Sequence, residues 1–135
     1  MKLDYQGIQL LNIFETFTKA SVKDCFLEEN KIVFIVNNGH MSKAIGPKGK
    51  NIRRLEGILK KRIKVVEFNN DILKFIKSCI APIKINEIEM KDDEVLIRAE
   101  DSYQKGILIG RNKKNLNSLK EIVNKYFKVK NIKIL

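Results

Sequence analysis

Gly46-Pro47-Lys48-Gly49, set between Ile45 and Lys50, holds the residue types from which an anion cradle is made. A loop that grips a sugar-phosphate backbone must let the main chain come close, which glycine permits because it has no Cβ. It must aim main-chain N–H groups at the anion from a helix N-terminus, where the dipole favours negative charge. It also gains from cations nearby. Gly46 and Gly49 meet the first need and a helix predicted from Lys50 meets the second. Lys48, Lys50, Arg53 and Arg54 meet the third.

Residues suited to bond-breaking chemistry do not assemble in the same way. His40 is the sole histidine and reads as a residue at the start of a helix or on the surface. Asp92, Asp93 and Glu94 form a carboxylate run, but Lys91 flanks it and the pattern is that of a solvated hairpin turn. Cys25 and Cys79 lie far apart with no cysteine or histidine neighbour, which predicts two buried thiols in a reducing compartment. No Ser/His/Asp or Cys/His set can be built, so no catalytic residue, no metal site and no cofactor is expected. The glycine loop lacks the Gly-x-x-x-x-Gly-Lys-Ser/Thr spacing of a P-loop.

The loop has an echo. A shift of 64 residues lays Ile45 to Leu55 (IGPKGKNIRRL) over Ile109 to Leu119 (IGRNKKNLNSL), with isoleucine, glycine, lysine, asparagine and leucine identical at five of eleven positions. Position 52/116 stays aliphatic as Ile52 and Leu116, and the aliphatic pairs Ile58-Leu59 and Ile122-Val123 follow. An internal repeat of this kind sets the architecture before any single element does.

Around each copy the periodicity switches in the same order. Helical spacing of Ile8, Leu11, Phe14 and Phe17 predicts a helix over 4–18. Strand-like runs follow at 22–28 and 31–37, with a turn at Glu29-Asn30. A short helix over 40–45 leads to the loop, a longer one covers 50–60, and a strand follows over 63–68. The second half predicts a helix over 71–80 with Asp71 as N-cap and Pro82 marking its end. Strands at 83–90 and 95–99 come next, then helices at 102–109 and 115–127 and a strand over 129–134. The reading is an α+β chain written twice as α-β-β-α-α-β, in units 1–68 and 69–135.

Charge supports an anionic partner. The chain has 27 Lys and Arg against 16 Asp and Glu, a net charge of +11, and divides as +6 and +5 between the two halves. A protein this basic is drawn to polyanions, nucleic acid above all. Its distribution is uneven: 41–64 holds nine basic residues and one acid, and 103–133 repeats that count. Positive charge thus tracks the glycine loop and the helix after it, in both copies. No apolar run nears the roughly 20 residues of a membrane span, and the first residues carry no apolar core of a secretory signal. A cytoplasmic protein with no membrane partner and no small-molecule substrate is expected.

The run from Ile45 to Leu55 resembles the signature of the KH domain, whose Gly-x-x-Gly loop clamps about four nucleotides of single-stranded RNA. The repeated order resembles the type II, prokaryotic-like arrangement, with helices packed on one face of a three-stranded sheet. A tandem pair of this length is similar to the archaeal NusA-like transcription factors. An RNA-recognition motif is not indicated, because no aromatic RNP1-like run is present.

That resemblance implies roles by position. Gly46 and Gly49 would be the points of backbone approach, with Pro47 and Lys48 as the variable pair. Ile45 and Ile52 would lie along an apolar groove for bases, and Lys43, Lys50, Arg53 and Arg54 would flank phosphates. Ile109, Gly110, Arg111, Asn112, Lys114 and Asn115 match in the second copy. Lys113 stands where the second glycine belongs, which puts that clamp in doubt. The resemblance implies an RNA-binding factor that acts with RNA polymerase in elongation, termination or antitermination. Two alternatives stay open: ribosomal-RNA processing or ribosome assembly, and a protein-binding adaptor docking through Glu87, Glu89 and Asp92–Glu94.

Overall fold

A computed structural model describes residues 5–135. The chain divides into two compact units, Met1–Asn69 and Asn70–Leu135. In the first, helix α1 (Tyr5–Thr18) precedes strands β1 (Val22–Leu27) and β2 (Lys31–Val36). Helix α2 (Met41–Ile45), a tight turn at Pro47–Gly49, helix α3 (Lys50–Leu59) and strand β3 (Arg62–Glu67) complete it. The second unit runs α4 (Ile72–Ile80), β4 (Ile85–Lys91), β5 (Glu94–Ala99), α5 (Ser102–Ile109), a turn at Arg111–Lys113, α6 (Lys114–Tyr126) and β6 (Asn131–Ile134). Both therefore have the order α-β-β-α-α-β.

Each unit has its own three-stranded sheet with the middle strand second in sequence: β1-β2-β3 and β4-β5-β6. β1 and β2 are antiparallel, β2 and β3 parallel, and β4, β5 and β6 repeat that pairing. The parallel pair is forced by the two helices between β2 and β3, which carry the chain back to the same end. A bulge recurs at the same register, between Val22 and Asp24 opposite Ile35-Val36, and between Ile85 and Glu87 opposite Arg98-Ala99. Bulges are local departures with a sequence address, so their coincidence is a finer likeness between the two sheets than element order. The matching offset is 63 there against 64 at the glycine loops.

The core of the first unit joins Leu10 and Phe14 of α1, Ala44 of α2 and Leu55 of α3 to Cys25, Ile32, Phe34, Val36 and Val65 of the sheet. Helices thus cover one sheet face, with Phe14 stacked on Phe34 at a centroid distance of 4.2 Å. In the second unit Phe75 and Ile76 of α4 and Leu119, Ile122 and Val123 of α6 are buried with Val95, Ile97, Ile132 and Ile134 of the sheet. Both cysteines are buried, and neither is in a disulfide.

Local chemistry sets several boundaries. Asp71 accepts hydrogen bonds from the Leu73 and Lys74 N–H groups, at 3.0 and 3.5 Å, and caps α4. Asp101 does the same for α5 through Gln104 N–H at 2.8 Å. Asp71→Ala should lower stability by about 1 kcal/mol, seen as a shift in the urea midpoint with an unchanged slope. α1 and α3 stop at lysines, Lys19 and Lys60, held at positive φ where glycine is usual. The β4–β5 hairpin turns through Asp92 and Asp93, both at positive φ (51° and 65°). Two such residues make the turn whose twist suits a two-residue hairpin, which accounts for the carboxylate run as turn chemistry.

Candidate nucleic-acid interface

α2 ends at Gly46, whose N–H donates to Ser42 O at 2.9 Å, and the chain reverses so that Gly49 N–H donates to Gly46 O at 3.1 Å. A positive φ at the third place is what a type II turn requires, and proline is common at the second. Lys48 supplies the positive φ, with φ 54° and ψ 29°. Gly49 follows in the left-handed region (φ 74°, ψ 18°), and α3 starts at Lys50 with no side-chain cap on its N-terminus. Pro47, Lys48 and Lys50 are exposed, while Gly46 and Gly49 are half-buried. The turn places exposed lysines beside an uncapped helix N-terminus, as an anion cradle needs, while the Gly46, Gly49 and Lys50 N–H groups bond within the chain, to Ser42 O, Gly46 O and Pro47 O.

The second turn follows the first almost angle for angle. Gly110 has φ 74°, ψ 168° against 77°, 170° at Gly46. Asn112 has 56°, 31° against 54°, 29° at Lys48, and Lys113 has 60°, 22° against 74°, 18° at Gly49. Lys113 N–H donates to Gly110 O at 3.1 Å. The Cβ of Lys113 therefore leaves the backbone path of the loop unchanged. At Gly49 a Cβ would meet only the Arg53 guanidinium, at 3.5 Å, an ordinary contact.

The first glycine is another matter. A Cβ on Gly46 would stand 2.9 Å from Asn51 Cγ and 3.2 Å from Asn51 N; on Gly110 it would stand 2.7 Å from Asn115 Cγ and 2.9 Å from Asn115 N. Each asparagine lies under its glycine because its side chain ties the new helix to the old one. Asn51 Nδ2 donates to Lys43 O at 3.0 Å, and Asn115 Nδ2 to Ile107 O at 2.8 Å. Sequence reasoning placed Asn115 at the site by alignment and passed over Asn51. The signal was present, since asparagine was one of the five identities.

The other expected residues distribute as follows. Lys43, Lys48 and Lys50 are exposed along the first loop, as are Arg111, Asn112, Lys113 and Lys114 along the second. Arg53, exposed, donates from Nη1 to Lys48 O and so braces the turn. Arg54 lies over the Phe17 ring at 5.2 Å. Ile45, Ile52 and Ile109 are half-buried, and Ile52 packs against the core of its unit. Leu116 is buried. His40 sits at the start of α2, its Nδ1 accepting the Ser21 N–H at 3.0 Å.

The KH-domain family model matches residues 12–95, well over half of the chain. The probable transcription termination protein NusA of Methanococcus vannielii is 32% identical, over all of this chain and 80% of that protein. This chain is a member of the archaeal NusA-like KH family. Two further NusA-like relatives of the same name, from Methanocaldococcus jannaschii and Halobacterium salinarum, are 27% and 26% identical, over 100% and 99% of this chain and 75% and 98% of theirs. The crystal structure of APE1850 matches with a TM-score of 0.76 at 26% identity, over 98% of this chain and 100% of that one. Among the described residues no helix is long and apolar enough to cross a membrane.

For this NusA-like chain the second loop yields a definite expectation. Its backbone already follows the first, so Lys113→Gly removes a cation without improving geometry. The variant should weaken nucleic-acid binding and lower the log–log salt slope by about 0.7, the share of one phosphate contact on a single strand. Tighter binding would show that the Lys113 side chain obstructs the ligand.

Proposed function

We propose that this chain binds single-stranded RNA and acts with RNA polymerase as a transcription elongation, termination or antitermination factor in the cytoplasm. Each unit, 1–68 and 69–135, is read as a type II KH domain, the two in tandem. The observation that carries this reading is the pair of exposed turns that agree angle for angle, each opening an uncapped helix amid lysine and arginine. Such a turn holds a backbone by shape and charge, a task of binding rather than catalysis. The relatives' name, probable transcription termination protein NusA, supports the role in transcription.

Gly46, Pro47, Lys48 and Gly49 with Lys43 and Lys50 form the first grip. Gly110, Arg111, Asn112, Lys113 and Lys114 form the second. Arg53 and Asn51 hold the first turn in shape, and Asn115 the second. The outer surface of the β4–β5 hairpin fits an acidic docking face less well, since Glu87 pairs with Arg98 at 3.7 Å and the charge there is mixed.

A salt titration with a single-stranded RNA oligonucleotide tests the reading. Neutralising about three to five phosphates gives a log–log slope of about −2 to −3.5. No measurable affinity at low salt would leave the adaptor role instead. Crosslinking in cells and sequencing of the bound fragments separates nascent transcripts from ribosomal RNA, which the same grip would hold.

A further inference from the structure

We infer that Tyr103 is a stacking platform for a nucleobase of the RNA whose backbone the second turn holds. This rests on the RNA-binding reading above and adds to it a contact made to a base. Tyr103 lies on α5, the helix that runs into Gly110. Positions 103, 106, 107 and 110 share one helical face by their spacing of three, four and seven. Tyr103 is 73% exposed. Among the described residues no ring packs against it and no hydrogen bond takes up its hydroxyl. One turn further on, a Cβ at Gly106 would meet nothing within 4 Å. A glycine inside a helix weakens it, and what Gly106 provides here is open space beside an exposed ring. Ile107, half-buried, continues the apolar strip to Gly110.

The distance suits a nucleotide chain. Seven residues of helix rise set Tyr103 about 10 Å from Gly110, inside the run of about four nucleotides that a loop of this kind clamps. A ring stacks on any base, because every base has a π-face. The first unit has no equivalent. There α2 begins at Met41, and Gly39, Ser42 and Lys43 occupy the places of Tyr103, Gly106 and Ile107. The first turn thus holds RNA by charge and shape, and the second adds a ring.

The full chain and its variants, titrated with a labelled single-stranded RNA oligonucleotide, decide the matter. Tyr103→Ala should weaken binding about ten-fold or more, and Tyr103→Phe should stay within about two-fold of wild type, since the ring and not the hydroxyl does the stacking. Gly106→Leu fills the strip without touching the core and should cost as much as Tyr103→Ala. The chain has no tryptophan, so Tyr103→Trp creates a single reporter. RNA should quench its fluorescence, and an abasic ribose-phosphate strand should not. Wild-type affinity in Tyr103→Ala, equal losses in Tyr103→Phe and Tyr103→Ala, or an unquenched Tyr103→Trp at saturating RNA would each overturn the inference while RNA binding stood. Failure of the wild-type chain to bind RNA at any salt would overturn the RNA-binding reading, and this inference with it.

Discussion

Replacing Pro47 and Lys48 together with aspartate should weaken single-stranded RNA binding about 100-fold while the circular dichroism spectrum keeps its wild-type form. The reason is charge at the point of closest approach. Lysine to aspartate changes the local charge by two units and proline to aspartate by one. With the full screening of bulk water, the limit for an exposed loop, each unit within about 4 Å of a phosphate is worth roughly 1 kcal/mol. Three such units make about 3 kcal/mol, which is about two orders of magnitude in Kd. The fold should survive because the turn accepts these residues. Lys48 has φ 54°, a region that aspartate and asparagine enter more readily than lysine does, and Asn112 already occupies it in the second turn. Losing proline at position 47 costs less than about 1 kcal/mol of chain entropy. Wild-type affinity with a normal spectrum would remove the first turn from the binding site.

The two glycines of that turn should differ sharply when replaced by alanine. Gly46→Ala is expected to cost about 2–4 kcal/mol in stability, whereas Gly49→Ala costs about 1 kcal/mol. Gly46 lies at φ 77°, ψ 170°, a region that is essentially closed to any residue with a Cβ. The added atom would also meet Asn51 at 2.9 Å, so either the turn opens or Asn51 surrenders its hydrogen bond to Lys43 O, itself worth about 1 kcal/mol. Gly49 lies in the ordinary left-handed region, with room for a Cβ, and Lys113 takes the same conformation in the second unit. Urea denaturation of both variants checks the contrast. Equal midpoints for Gly46→Ala and Gly49→Ala would show that the first glycine is as dispensable as the second. RNA affinity should follow the same order, since a turn that has opened no longer holds Lys48 and Lys50 together at the start of α3.

Much of the fold was legible in the residues because it rests on local periodicity. Ile8, Leu11, Phe14 and Phe17 recur at helical spacing, and α1 ends at Thr18 where that spacing stops. β1 and β2 occupy the runs that alternate or are wholly apolar, each within one residue of the expected span at its C-terminal end. The ends of the second unit departed further: β4 begins at Ile85 and not at position 83, and β6 at Asn131 and not at 129. Ile83 and Val129 have strand-forming side chains, but Ile83 N–H turns back to Ile80 O and so stays with the helix end. Propensity speaks for a residue, whereas pairing depends on where its partner strand ends.

The site divides along the same line. Residue types, their charge and their repetition by themselves determined that this chain carries two related glycine turns ringed by lysine and arginine, because glycine freedom, helix starts and charge are properties of short stretches. Only the tertiary structure decided how those turns are braced. Asn51 and Asn115 reach carbonyls eight residues back and so wedge beneath Gly46 and Gly110, while Lys113 adopts the glycine-like angles that its own type does not favour. Such facts depend on two helices meeting at one corner, and the distances across that corner belong to the folded chain alone.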